Sequence, residues 1–288
     1  MSLVVGHIKY INCAPFFHYL PECGFNGTIV DGVPSHLNRL LAAGGVDVSP
    51  SSSFEYARNW QEYLLLPELS ISACGPVRSV LLFSGRPIET LGGSAIALTG
   101  DSATSVNLLK IILREFYDLR DCRCAVPEGP VEAVIAEGGS ALLIGDRALR
   151  AAQQKAAPYI YDLAEIWLQH TGLPFVFALW ILRRQAAREK AEDVRTLHEQ
   201  LICSRERAFA SLETLAKATP EREWMGEGGL IDYWNCMSYE LGEAHLEGLR
   251  FYFHLCARHH LLDEEPELYF WGGQECSDVR AIGGLCAR

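Results

Sequence analysis

A two-lobed α/β fold, in which the chain leaves its first lobe and later returns to it, is the class that this sequence predicts. Three observations carry the prediction. Between Val4 and Trp180, short β-rich runs alternate with helical stretches, the rhythm of sheets covered by helices. Two longer apolar runs, Gly75-Pro-Val-Arg-Ser-Val-Leu-Leu-Phe-Ser84 and Pro174-Phe-Val-Phe-Ala-Leu-Trp-Ile-Leu182, have no helical periodicity. They read as strands buried on both faces, as in a parallel sheet flanked by helices. From Arg184 onward the composition turns charged, Ala-rich and helical. Taken as crossings, the two runs divide the chain into a discontinuous first lobe, residues 1–84 plus 179–288, and a second lobe, residues 85–178. The cleft would then lie beside Ser79 and Thr171.

At 288 residues the chain is long enough to bury two cores. A hydrophobic content of 49% with 21% charged residues is the profile of a globular protein, not of a disordered one. The net charge of −11 argues against nucleic acid and against membrane surfaces as partners, because both need a basic face. No apolar run approaches the ~20 residues that cross a bilayer. The first residues carry neither a basic segment nor a small-residue cleavage site, so no secretory signal is expected. Ten cysteines lie in scattered, mostly apolar contexts, Cys13, Cys74, Cys203, Cys236 and Cys256 among them, in a chain too large to need staples. A cytoplasmic location is the expectation.

Taken in order, Val4 to Tyr10 alternates and reads as the first strand. It runs into Ile11-Asn-Cys-Ala-Pro15, where Asn12 suits a helix cap and Pro15 a first turn. Asn12 therefore either caps that helix or faces a ligand at the carboxyl end of the strand. Thr28-Ile-Val30 is a second strand, Val33 to Gly44 an amphipathic helix, and Val46-Asp-Val-Ser49 a third strand. The last leads into Pro50-Ser-Ser-Ser53, hydroxyls at a helix start, where free N–H groups and the helix dipole favour an anion. Ser51, Ser52 and Ser53 are candidates on that ground, although one serine as a cap and two as loop is the simpler alternative.

In the second lobe Ala95 to Thr99 is a strand. Gly100-Asp-Ser-Ala-Thr-Ser105 opens a helix predicted over Val106 to Tyr117, a second hydroxyl-rich junction that brings in Thr104 and Ser105. Two such junctions on opposite lobes suit an anion gripped from both sides. Arg123 to Pro127 is a short strand, Val131 to Ile135 a helix, and Ser140 to Ile144 a strand. Gly145-Asp146 is a further junction, with Asp146 either a cap or facing the cleft. Tyr159 to Trp167 supplies a strand and a helical turn before Thr171-Gly172-Leu-Pro174. Beyond it, Ala186 to Ala216 reads as one long helix or two, and Glu227 to His260 as two more, with core aromatics at helical spacing. His254, Cys256, His259 and His260 match no familiar zinc spacing, and no metal is expected. Residues 263–288, rich in Gly and charge, read as a loosely ordered tail.

The whole is like the type II periplasmic binding proteins, a fold that closes over a small ligand by a hinge. Such a fold does not say whether the ligand is carried, sensed or transformed. Particular stretches narrow this: Gly6-His-Ile8 with Asn12-Cys13, Asp47-Val48, Gly75-Pro-Val77 with Ser79, and Ser102-Ala-Thr-Ser-Val106. Leu143-Ile-Gly-Asp146, Asp162-Leu163 and Thr171-Gly-Leu-Pro-Phe-Val-Phe-Ala178 with Trp180 complete the set, in order along residues 4 to 183. On these the sequence resembles the chorismate dehydratase family, the first committed enzymes of the futalosine route to menaquinone. A sister family acting on a later cyclised intermediate shares the fold, but the Thr171–Ala178 and Gly75–Ser79 forms favour the dehydratase. A non-catalytic binding protein for a small anion is a weaker alternative, given the free cysteines and the absence of a secretory signal.

The resemblance implies that chorismate is the small-molecule partner, losing its ring hydroxyl as water and aromatising to 3-[(1-carboxyvinyl)oxy]benzoate. Such an elimination calls for no metal or organic cofactor, because aromatisation supplies the driving force. Two substrate carboxylates need hydrogen-bond donors, a ring proton must be removed, and hydroxide must leave as water. The resemblance points to Asn12 and Ser79 as the residues orienting substrate and leaving group. The substrate's own enolpyruvyl carboxylate is the expected base, with Asp146 in reserve. Ser51, Ser52, Ser53, Thr104, Ser105, Asp146, Thr171 and Gly172 are the candidate substrate contacts. Arg78 either pairs with a carboxylate or points into the lobe beside Glu55.

Overall fold

The β-rich runs sort into two five-stranded sheets, seen in a computed structural model that describes residues 2–100 and 102–272. The first part of the chain builds β1 (Val4–Ile8), α1 (Ala14–Phe17), β2 (Thr28–Gly32), α2 (Pro34–Ala43), β3 (Val48–Ser52), α3 (Ser53–Arg58) and β4 (Tyr63–Ala73). The middle builds β5 (Val80–Ser84), β6 (Ala95–Leu98), α4 (Ala103–Ile111), β7 (Arg123–Ala125), α5 (Val131–Ala136), β8 (Ser140–Ile144), α6 (Gly145–Gln153), β9 (Tyr159–Asp162) and α7 (Leu163–Thr171). The return adds β10 (Phe175–Arg183), α8 (Arg184–Glu189), α9 (Ala191–Ala210), α10 (Leu212–Ala218), α11 (Arg222–Met225), α12 (Glu227–Cys236) and α13 (Glu243–Arg258). Sheet one has the order β2-β1-β3-β10-β4 and sheet two β7-β6-β8-β5-β9.

Each sheet joins two kinds of strand. The βα units give parallel neighbours, β1 with β2 and β3, and β6 with β7 and β8. The strands next to the crossings run the other way: β10 is antiparallel to β3 and β4, and β5 to β8 and β9. The two apolar runs are fully or largely buried as expected, but their pairing is antiparallel, because a strand arriving from the other lobe enters against the direction of the βα units. Sheet membership also shifts the crossings. Val80–Ser84 lies in sheet two and Phe175–Arg183 in sheet one, so the chain passes between sheets within residues 74–79 and 172–174, not at 84/85 and 178/179.

Strand β4 is the element that the sequence pattern hides. Pro67 interrupts it, and proline inside an apolar run argues against a strand. Glu68 beside it takes φ 62°, and the pairing with β10 slips in register between Leu179 and Ile181. As the edge strand β4 tolerates that interruption, and it is covered by bridges from Phe270 and Ser238. The 263–272 stretch, expected to be loose, is therefore docked: Trp271 N–H donates to the Leu65 carbonyl, and Tyr269 N–H to the Tyr56 hydroxyl, at 2.9 and 2.8 Å. The remainder of the tail, 273–288, lies outside the described residues.

The C-terminal helices are fastened to sheet one by a half-hidden ion pair. Lys190 Nζ meets Asp47 Oδ2 at 2.7 Å, and the same oxygen accepts from Val4 N–H at 2.8 Å. Asp47 is thus a structural residue of the family-like pattern. Further on, α13 crosses the start of β10 at Gly248, where a Cβ would run into the Pro174 carbonyl oxygen. The missing side chain lets the helix lie on the second crossing. Gly248→Ala should therefore lower stability by about 1–3 kcal/mol. Gly129→Ala, with nothing within 4 Å of its added carbon, should change it by less than about 0.5 kcal/mol; urea unfolding of both variants checks this.

Candidate active site

Between the two lobes, at the carboxyl ends of β1, β3 and β8, lies a cavity of about 70 Å³. Open α/β sheets bind ligands at this edge. Ile8, Ile71, Val80, Phe177 and Met237 make its walls apolar, while Asn12, Ser52, Ser79, Ser102 and Ser105 supply polar groups. No Asp, Glu, Lys, Arg or His lines it among the described residues.

Asn12 is no helix cap. It sits inside a single 3₁₀ turn, Ile11–Cys13, whose leading residue is Tyr10, and no side chain caps that turn. Its Oδ1 is buried with no hydrogen-bond partner, an unmet acceptor that costs about 1–3 kcal/mol where nothing answers it. The turn itself is held from two sides. Asp146 Oδ1, on α6, accepts from Ile11 N–H at 3.3 Å, and Trp234 Nε1, on α12, donates to the Ile11 carbonyl at 2.9 Å. Lobe two and the C-terminal helices thereby fix both peptides of the residue that precedes Asn12.

Ser79 is fixed from three directions. Gly145 N–H donates to its carbonyl at 2.7 Å. The preceding residue, Arg78, is held in the left-handed region at φ 61°, a conformation that costs a non-glycine residue about 1–2 kcal/mol. Asp162 offsets that strain by accepting from Arg78 N–H at 2.6 Å while capping α7 through Ala164 and Glu165 N–H. The Ser79 hydroxyl accepts from Tyr233 at 2.8 Å and lies 3.3 Å from the Val77 carbonyl. Arg78 itself is exposed, while the Glu55 carboxylate is bonded by Asn38, Asn59 and Tyr63; the interior placement beside Glu55 does not hold.

The other candidates divide. Ser52 and Ser105 line the cavity. Thr104 lies behind them, its Oγ1 2.6 Å from Ser52 Oγ and 3.2 Å from Ser53 Oγ, and it accepts from Phe54 N–H at 3.0 Å. Thr104 and Ser53 are therefore seam residues between α3 and α4. Ser53 is also turned to the Val176 carbonyl, at 2.9 Å. Ser51 is buried in β3 off the cavity, its Oγ unpartnered. Thr171 and Gly172 do not reach the cavity, and the cleft does not lie beside Thr171. The Thr171 hydroxyl donates to Trp167 O and accepts from Leu173 N–H, and Gly172 takes φ 72° as the left-handed end of α7. Turn chemistry explains that pair fully. Asp146 neither caps α6, whose leading residue is Ile144, nor lines the cavity.

Sequence reasoning did not single out Ser102, Tyr233 and Trp234. Ser102 caps α4 by accepting from Ser105 N–H, at 3.3 Å, and lines the cavity beside it. A cap three residues ahead of a hydroxyl is a legible signal. Tyr233 and Trp234 carry none, because aromatics at helical spacing read as core, and both are indeed buried.

A family of proteins described as menaquinone biosynthesis matches residues 3–258. The chain belongs to that family. A chorismate dehydratase of Thermus thermophilus is 36% identical over 268 residues, covering 86% of this chain and 92% of that protein. One from Campylobacter jejuni is 30% identical over 182 residues, 61% of this chain and 66% of its own. In structure, a protein of Archaeoglobus fulgidus superposes with TM-score 0.69 at 18% identity, over 90% of this chain and 98% of that one. The alkanesulfonate-binding protein of Xanthomonas axonopodis pv. citri gives 0.65 at 17%, over 92% and 95%. These likenesses establish the periplasmic-binding-protein fold.

Burial pushes the Asp146 carboxyl up from its usual 3.8 to about 6, against the lowering effect of the Ile11 N–H. Ionising it costs more in the folded protein than in the unfolded chain. The folded state is therefore unpenalised below pH 3.8, loses stability as pH rises, and carries the whole cost above about pH 6. Asp146→Asn keeps an acceptor for Ile11 and removes the titration. Its stability relative to the parent should climb by on the order of 2–3 kcal/mol between about pH 4 and 6 and then level off. Denaturant titrations at several pH values test this; a difference that stays flat across the window refutes it.

Proposed function

We propose that this protein is a chorismate dehydratase, removing water from chorismate to give 3-[(1-carboxyvinyl)oxy]benzoate, and that Asn12 and Ser79 carry the reaction. The observation that weighs most is an unpaired, buried Asn12 Oδ1 sharing one inter-lobe cavity with the Ser79 hydroxyl, in a chain of the menaquinone biosynthesis family.

The chemistry asks little of the cavity beyond orientation. One ring C–H bond breaks and its electron pair completes the aromatic ring as the C–O bond to the ring hydroxyl breaks. The released proton and the departing hydroxide make up the water. Ser79 donates a hydrogen bond to the leaving oxygen, and Asn12 holds the ring and its enolpyruvyl arm through an amide that both donates and accepts. Ser102 and Ser105 stand at the first turn of α4, where hydroxyls, free N–H groups and the positive end of the helix receive a substrate carboxylate without a cation. Ser52 adds a hydroxyl from the facing lobe.

For the base, the enolpyruvyl carboxylate is favoured over any side chain. No carboxylate, lysine or histidine lines the cavity among the described residues. Asp146 is set back and engaged with Ile11, and burial holds the Cys13 thiol far above the range in which it ionises. An apolar wall also raises the basicity of a carboxylate that sheds its water on entry. Neither an electron sink nor a Lewis acid is needed, since forming the benzene ring pays for the bond broken. We place the reaction in the cytoplasm. The cysteines among the described residues are free thiols, Cys13 and Cys256 fully buried as such, and no described helix is long and apolar enough to cross a membrane.

Mixing the purified protein with chorismate and following mass and ultraviolet absorbance should show loss of one water and appearance of a substituted benzoate, unchanged by a chelator. Asn12→Ala and Ser79→Ala should each lower kcat by about 10²-fold or more. Chorismate recovered intact would refute the activity, and full turnover by Asn12→Ala would remove that residue from the site.

A further inference from the structure

We propose that Tyr233, on α12, is a positioning residue for the elimination: its hydroxyl occupies the acceptor side of Ser79 Oγ and so leaves the Ser79 hydrogen to serve the substrate. The inference rests on the role given to Ser79 above.

A serine hydroxyl has one hydrogen and two lone pairs, and an unconstrained one rotates to whatever partner is nearest. Here, apart from Tyr233, the acceptor that the Ser79 hydroxyl reaches is the Val77 carbonyl, two residues back, at 3.3 Å, a long contact for an O–H donor. The Tyr233 O–H donates to Ser79 Oγ at the short distance of 2.8 Å. Tyr233 is buried to 1% exposure, and burial together with neighbouring carboxyl and thiol groups keeps its hydroxyl protonated. A donor that is never ionised holds its bond to Ser79 at every working pH.

Two consequences follow for Ser79. The filled lone pair turns its hydrogen away from Tyr233, leaving only the weak Val77 contact to be exchanged for the departing ring oxygen. Accepting one hydrogen bond also makes a hydroxyl a stronger donor of the next, since bonds in a chain polarise one another. That second effect grows as negative charge collects on the leaving oxygen. It therefore favours the transition state over bound substrate and acts on kcat more than on KM. Tyr233 touches no reacting atom, and neither does its neighbour Trp234, which holds the Ile11 carbonyl. One turn of α12 thus sets both halves of the site.

The test is a double-mutant cycle on the full chain with chorismate as substrate. Tyr233→Phe keeps the ring and removes only the donor. It should lower kcat about tenfold while KM and directly titrated chorismate binding stay within about twofold. In a Ser79→Ala background the same change should cost less than about twofold, because the interaction it removes is already gone. Where Ser79→Ala is impaired but Tyr233→Phe turns over at the parental rate, or the two losses multiply, the positioning role is overturned and the assignment of Ser79 stands. Full turnover by Ser79→Ala would overturn that assignment, and the role of Tyr233 with it. Thermal unfolding of Tyr233→Phe separates misfolding from lost positioning, and a variant that binds chorismate normally with kcat lowered cannot be explained by misfolding.

Discussion

A single residue holds the site together. Ile11 gives its N–H to Asp146 and its carbonyl to Trp234, so one residue of lobe one is tied to the first turn of α6 and to the last turn of α12. Neither bond is strong alone, about 1 kcal/mol for the indole and more for the carboxylate. Their value is geometric. Asn12 comes next in the chain, and a side chain whose acceptor is buried and unpaired performs no task unless its backbone is held still. Loss of either partner releases the 3₁₀ turn, and with it the direction in which the amide points.

The same economy recurs at the first crossing. The segment from Cys74 to Ser79 has to change sheets and present one hydroxyl to the cavity. It does so through a left-handed Arg78, a conformation that the sequence around it does not favour. Asp162 makes this tolerable by spending one oxygen on the Arg78 N–H and the other on the start of α7. Strain of this kind survives only where surrounding structure over-determines it. Asp162 and Asp146 lie at two strand-to-helix junctions of lobe two and do the same work, each reaching back to a peptide that leads into a polar residue of the cavity.

That division explains what was legible in the residues. The βα rhythm was visible because strand and helix periods differ, and Ser79 and Asn12 stood out as polar residues set at the ends of apolar runs. Strand β4 was not visible, because Pro67 and Glu68 break its pattern while its partner β10 keeps the ladder going. The hydroxyl-rich junctions read either as ligand-facing or as caps and loop, and half of their side chains close the seam. Ser52 and Ser105 face the cavity, whereas Ser53 and Thr104 bond to one another across it. Composition cannot separate those fates, since a single step along a strand or a helix turns a side chain to a different face. Thr171-Gly172 reads as part of the site both from its place beside the second crossing and from the resemblance, yet a left-handed glycine ending a helix accounts for both residues. Tyr233 and Trp234 looked like core and are core, and only the direction of a hydroxyl and an indole N–H reveals their second task.

A fold shared with small-anion carriers becomes suited to elimination through what its cavity omits. A carrier for a dianion gains affinity from a fixed cation, but a cation beside the enolpyruvyl carboxylate would lower its basicity and disable the group best placed to take the ring proton. Among the described residues the walls are largely apolar and the polar groups come from serines, Asn12, Tyr10, Cys13 and a helix start, all uncharged side chains. The acidic surface of the protein, at −11 overall, is no obstacle, because charges beyond a Debye length of about 8 Å are screened before they reach the cavity. In the proposed binding mode neutral donors would hold both carboxylates without quenching either. Binding is then weaker than a cation would make it, and the free energy not committed to the ground state is available to the transition state.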